Sequence, residues 1–233
     1  KVLGLKKEVI NGYSSVNCVA INPDNQGVNL LFHDLYSQEQ PNYISQKDLE
    51  TPHTLLPDKA KVLADNAHIN GVILCKRHLK GSHDLLKKGH QNRVITHILD
   101  REFDSESLFS YIHELGDEFV IRAKLSRLAT NGQQKLTAKG KISKVLHYPT
   151  LVDKRFTHQS NYLIDRLTLK NKTYHKVTCV VEWEDLTMET KSYCVVRITL
   201  KQGNKSLFQQ PMLLITNRKI KTNRVIVFLH YIP

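Results

Sequence analysis

Asp100 follows directly on Val94-Ile95-Thr96-His97-Ile98-Leu99, a short, β-branched, apolar run that reads as a buried strand. Ligands of open α/β sheets bind beyond the carboxyl ends of the strands. A carboxylate held there can bind Mg²⁺ through oxygen. Two such ions about 3.5–4 Å apart can activate water and stabilise a leaving 3′ oxygen during phosphodiester cleavage. That chemistry needs several carboxylates gathered at one point, so Asp100 alone does not make the site. Glu102 and Asp104 are the nearest acidic residues in sequence. Taken alone, an Asp after a strand is more often a helix cap or turn residue, since a motif needs its context.

The elements around Asp100 define that context. Asp104-Ser105-Glu106-Ser107 is a helix start: Asp104 or Ser105 can cap it, and acidic groups favour the first turn. Leu108, Phe109, Ile112 and Leu115 fall at helical spacing, and Gly116 ends the run. Glu118-Phe119-Val120-Ile121-Arg122 is a second short strand. The unit is strand, carboxylate, helix, strand, which predicts an α/β fold. Upstream, Cys18-Val19-Ala20-Ile21 and Val28-Asn29-Leu30-Leu31-Phe32 flank the turn formers Asn22-Pro23-Asp24-Asn25-Gln26-Gly27, a β-hairpin pattern. One or two helices are expected between residues 45 and 92, and the stretch from Cys75 to Arg93 reads as strongly basic and exposed. From about Leu125 to Lys205 short alternating segments predict a β-rich insertion. Val177–Val181 and Tyr193–Leu200 are its antiparallel strands. Pro211–Thr216 returns to a buried strand.

Charge narrows the partner. Lys and Arg number 34 against 22 acidic residues in 233, a net charge of +12, which points to an anionic partner, most often nucleic acid. No Asp or Glu occurs from Phe119 to Val152, where Arg122, Lys124, Arg127, Lys135, Lys139, Lys141 and Lys144 fall; none occurs after Glu189. The alternative is a solvated basic surface with no partner. These charges do not line an apolar helix face, and no apolar run is long enough to span a bilayer, so no membrane partner is expected. The start, Lys1-Val2-Leu3-Gly4-Leu5-Lys6-Lys7, is too short and charged for a signal peptide. The four cysteines form no CxxC, and reduced thiols in a cytoplasmic protein are expected. Cys75, His78, His83 and His90 match no zinc spacing and read as exposed. Phosphate-loop, dinucleotide and Gly-x-Ser-x-Gly patterns are absent. Trp183 between Glu182 and Glu184 reads as a core residue of the β-rich segment rather than a base-stacking platform.

Leu99-Asp100-Arg101-Glu102-Phe103-Asp104, followed by a helix and then Phe119-Val120-Ile121-Arg122, resembles the second-aspartate segment of bacterial insertion-sequence DDE transposases. Asn11-Gly12-Tyr13 and Tyr36-Ser37 resemble that family's second and third strands, and Gln210–Asn217 the strand after its β insertion. The resemblance implies a ribonuclease H-like fold: a five-strand mixed sheet flanked by helices, with a β-rich insertion. Three carboxylates (Asp, Asp, Glu) there bind two Mg²⁺ or Mn²⁺ ions, hydrolyse a strand at the transposon end and join the freed 3′-hydroxyl to target DNA. Asp100 matches the second of them, as catalytic residue and metal ligand. Arg101, Arg122, Lys124 and Arg127 are the DNA contacts it suggests, with Arg101 equally suited to a structural ion pair. The implied partners are transposon-end and target DNA, with a homodimer in the synaptic complex, and the implied location is the bacterial nucleoid.

The departures carry expectations of their own. No Asp lies between Lys1 and Ile10, where the first carboxylate belongs; Asp24 and Asp34 fall in a turn and after a strand. No Glu follows Ile215-Thr216, and Arg224–Pro233 is β-branched where a helix is expected. The expected organisation is a partial ribonuclease H-like core over residues 1–124, an insertion over 125–205, and a return strand with an aberrant tail over 206–233. The fold would be truncated at both ends and inactive alone. Missing a central strand, the sheet would expose two apolar edges, which invite aggregation; a cooperative melt with a monomeric scattering mass would argue against that. Two rival readings remain. One is a nonenzymatic DNA-binding fragment, marked by salt-sensitive, metal-independent binding. The other is a different ribonuclease H-like nuclease drawing on Glu102 and Asp104.

Overall fold

The computed structural model of the chain describes residues 2–3, 9–10, 12–21, 27–88, 92–125, 127, 155–169, 172–188 and 191–219. These fall into two units, Lys1–Ile95 and Thr96–Pro233. Among the described residues no helix is long and apolar enough to cross a membrane.

In the first unit a short antiparallel pair, β1 (Val2–Leu3) and β2 (Val9–Ile10), precedes the expected hairpin of β3 (Ser14–Ile21) and β4 (Val28–Tyr36). Three helices follow: α1 (Gln46–Glu50), α2 (Pro57–Ala64) and α3 (Gly71–Lys87). Ser45 starts α1 with a capping box, its hydroxyl accepting from Asp48 N while the Asp48 carboxylate accepts from Ser45 N. Asn70 starts α3: its Oδ1 accepts from Ile73 N at 3.0 Å, and its Nδ2 donates to Ile44 O at 2.9 Å.

The stretch from Cys75 onward corrects the sequence reading. It is not an exposed basic segment but most of α3, whose Leu74, Cys75, His78, Leu79 and Ser82 are buried. The reason is spacing: those residues recur at three and four positions and form one helix face, while Arg77, Lys80 and Asp84 face water. The helix packs close to the hairpin. A Cβ on Gly81 would lie 2.7 Å from Phe32 Cζ, so only glycine fits without a shift. The buried His78 ring stacks on Phe32 and bonds Asp34 Oδ2 through Nε2 at 2.8 Å.

The second unit is built on one mixed sheet. Its strands are β5 (Thr96–Leu99), β6 (Glu118–Arg122), β7 (His158–Leu169), β8 (Lys172–Met188), β9 (Lys191–Gln202), β10 (Lys205–Ser206) and β11 (Met212–Thr216). The spatial order is β5-β6-β11-β9-β8-β7, with β10 beside β9; β5 and β6 are parallel and every other pair is antiparallel. The chain is thus α/β with a mixed sheet. The sheet has seven strands where the resemblance implied five. Strands β7 to β9, expected as an insertion beside that core, hydrogen-bond into the sheet through β9 and β11.

Val120, Cys179, Val181, Trp183, Val196, Ile198 and Leu214 share one core cluster of this unit, and Trp183 is the core residue its setting predicted. Fully burying a Val, Ile or Leu side chain stabilises by about 1.5–3 kcal/mol. Next in the unit, α4 (Glu106–Glu114) buries Leu108, Phe109 and Ile112, and Phe109 stacks on Phe119 with centroids 5.3 Å apart. Gly116, at φ +74°, ends the helix in the left-handed conformation that glycine tolerates. Ser105 takes the N-cap position without a side-chain cap bond.

The strand before Asp100 is shorter and less buried than its sequence predicts. Ile95 and His97 are buried, but Ile98 is 54% and Val94 71% exposed. Among the described strands β5 has a single neighbour, β6, so it lies at the sheet edge.

Candidate functional site

Leu99 pairs with Ile121 in the parallel β5–β6 register, so Asp100 and Arg122 leave the sheet at the same end of adjacent strands. Asp100 is exposed and extended; its Oδ1 accepts from Arg101 N at 2.7 Å and caps the 3₁₀ turn Arg101–Phe103. The turn-cap role weighed for this residue is therefore present, on a side chain that still faces solvent. Arg101, Arg122 and Lys124 are exposed as well. Three of the four cations expected to contact DNA thus lie in the two segments that leave this end of the sheet.

The fourth, Arg127, has a different setting. Its side chain is 15% exposed, and Nη2 lies 2.5 Å from Asp104 Oδ1, a charge contact without hydrogen-bond alignment. Nη2 also donates to Asp104 O at 3.3 Å, Nη1 donates to Glu106 Oε1 at 3.1 Å, and the guanidinium lies over the Phe109 ring at 5.2 Å. Asp104 is equally committed: its side chain is fully buried, and Oδ2 accepts from Lys124 N at 2.7 Å. The sequence offered it as a helix cap or a spare carboxylate. Its partner lies 23 positions away and carries no periodic signal.

These commitments bear on metal chemistry. Among the described residues no group of three or more His, Cys, Asp or Glu could hold a metal ion. Asp104 is paired with Arg127, which leaves Asp100 and Glu102 as exposed carboxylates on either side of the exposed Arg101. The described residues therefore do not complete the carboxylate set that the resemblance implies. The same surroundings favour an anion, because exposed Arg and Lys beside a strand end present donors to phosphate oxygens.

Other chemistry-bearing groups are structural. His78, read as exposed, is buried against Asp34, and the buried Cys75 shares its helix. His97 Nε2 bonds Asp117 Oδ2 at 2.9 Å within the core of the second unit, a pair that the sequence did not signal. All four cysteines are free thiols. Burial, then the nearby Cys18, pushes Cys75 up to about 12, so it is no nucleophile near neutral pH. Arg197 is held by Glu182 at 2.7 Å. Asp24, His90, Lys135, Lys139, Lys141, Lys144 and the tail from Ile220 lie outside the described residues. Comparison with protein-family models and with curated proteins found no match to this chain.

Proposed function

We propose that the chain acts on DNA as the catalytic-domain portion of a DDE-class transposase with a ribonuclease H-like sheet. Asp100 is its second carboxylate, and Arg101, Arg122 and Lys124 are its phosphate contacts. The observation that carries this reading is the shared end of β5 and β6, where Asp100 leaves the sheet beside exposed cations. Strand cleavage and transfer need a carboxylate set that the described residues do not complete, so no catalytic step is derived for them. One observation favours a simpler second reading, a nonenzymatic DNA-binding chain: Asp104, the nearest buried carboxylate, is spent on Arg127. The nuclease reading that drew on Glu102 and Asp104 is left with Glu102 as its candidate partner for Asp100.

Salt-dependent titration of a DNA duplex tests the common part. Three phosphate contacts predict a slope of log K against log salt of roughly −2.7, and loss of Arg122 to Ala should reduce it by about 1. Salt-independent binding, or none, would sink both readings. Metal-dependent strand cleavage that Asp100→Asn abolishes would favour the transposase over the simple binder. Cleavage untouched by that change would remove Asp100 from the reading.

A further inference from the structure

We propose that Asp104 and Arg127 form a buried clamp that sets the spacing between the two cation-bearing segments, Asp100–Arg101 on one side and Arg122–Lys124 on the other. The proposal rests on the phosphate-binding reading of this end of the sheet. Asp104 is a positioning residue, and so is Arg127; neither touches DNA.

The first segment is tied to Asp104 through its own backbone. Phe103 N donates to Asp100 O at 3.0 Å and Asp104 N to Arg101 O at 3.2 Å, so the turn holds Asp104 at a set distance from Asp100. The second segment is gripped from two sides. Lys124 N donates to Asp104 Oδ2 at 2.7 Å, and Lys124 O accepts from Arg127 N at 3.1 Å. The Arg127 side chain then returns to Asp104 Oδ1, Asp104 O and Glu106 Oε1. A buried carboxylate is costly unless paired. A planar guanidinium that reaches three oxygens while lying on Phe109 has little freedom. The pair therefore resists any slip of β6's exit against the Asp100 turn. Phosphate contacts fix a protein's register on DNA, and a binding constellation must be held within about 0.5 Å to work.

The test uses Asp104→Asn, Arg127→Met and the double variant, with Arg122→Ala as reference. The double variant leaves no lone buried charge, so it carries the test if a single change fails to fold. Two readouts are needed: amide hydrogen exchange, and titration of a DNA duplex at several salt concentrations. Exchange at Lys124 and over residues 101–104 should rise at least about tenfold while β8 and β9 keep their protection. DNA affinity should fall about tenfold at an unchanged salt slope, because no phosphate contact is lost. Arg122→Ala should instead lower the slope by about 1. If Arg127→Met lowers the slope as Arg122→Ala does, Arg127 is a phosphate contact and the clamp is overturned. Unchanged exchange at Lys124 overturns it too, as does a lower melting temperature with unchanged DNA affinity. A wild-type chain that does not bind DNA overturns the functional reading instead, and the exchange data still decide whether the pair holds the two segments together.

Discussion

β9 and β5 begin from similar sequence and end in opposite conditions. Tyr193-Cys194-Val195-Val196 and Val94-Ile95-Thr96-His97-Ile98-Leu99 are both short, β-branched and largely apolar. β9 hydrogen-bonds to β8 on one side and β11 on the other, and its residues from Tyr193 to Val196 are all buried. Among the described strands β5 pairs only with β6, and its side chains alternate between buried His97 and exposed Ile98. Position in the sheet separates them, not composition. A strand with two neighbours and two covered faces supplies stability. A strand at the margin supplies a rigid support from which Asp100 reaches solvent.

Truncating matched isoleucines would break this contrast most directly. Ile198→Ala in β9 should cost about 2–5 kcal/mol, the range for a well-packed core site. Ile98→Ala in β5 should cost less than about 1 kcal/mol, because that side chain is half in water already. Chemical denaturation of both variants gives the two values; equal losses would mean that β5 is no edge.

A smaller effect sharpens the contrast through pH. Burial is the largest cause of the raised thiol values, pushing Cys194 from the ordinary 9.0 up to about 12 and Cys179 up to about 11. The folded state therefore keeps protons that the unfolded chain loses. The stability linked to these thiols is complete below pH 9 and is lost as pH rises from about 9 towards 12. Melting temperature followed across that window should fall, and Cys194→Ala should flatten the fall. No flattening would remove the thiol from the explanation. The smallest effect concerns the margin itself: Ile98→Lys should leave stability within about 0.5 kcal/mol. It should also lower light scattering on concentration, since a charge on an edge strand opposes edge-to-edge pairing. Scattering unchanged by that substitution would place association elsewhere.

How much was legible follows from the range of each interaction. The hairpin, the strand before Asp100, α4 with its Gly116 stop and β6 were all readable, because each rests on periodicity or turn chemistry within about a dozen residues. The buried face of α3 was missed because lysines and histidines around Leu74 and Leu79 masked the helical spacing. At the site, the place of Asp100 past a strand was readable, and so was a basic surplus nearby. The fate of Asp104 and Arg127 was not. One was read as a cap and the other as a DNA contact, yet they neutralise each other across 23 positions.

The order of strands and helices around Asp100, the basic charge and the core role of Trp183 were determined by sequence alone, since local pattern and composition suffice for them. Only the tertiary structure decided that β7 to β9 join the sheet carrying Asp100, that β5 lies at its margin, and that Arg127 is held by a buried carboxylate. Those outcomes depend on which distant backbone pairs and which distant charges meet. A buried ionisable group takes its role from the partner that folding brings to it.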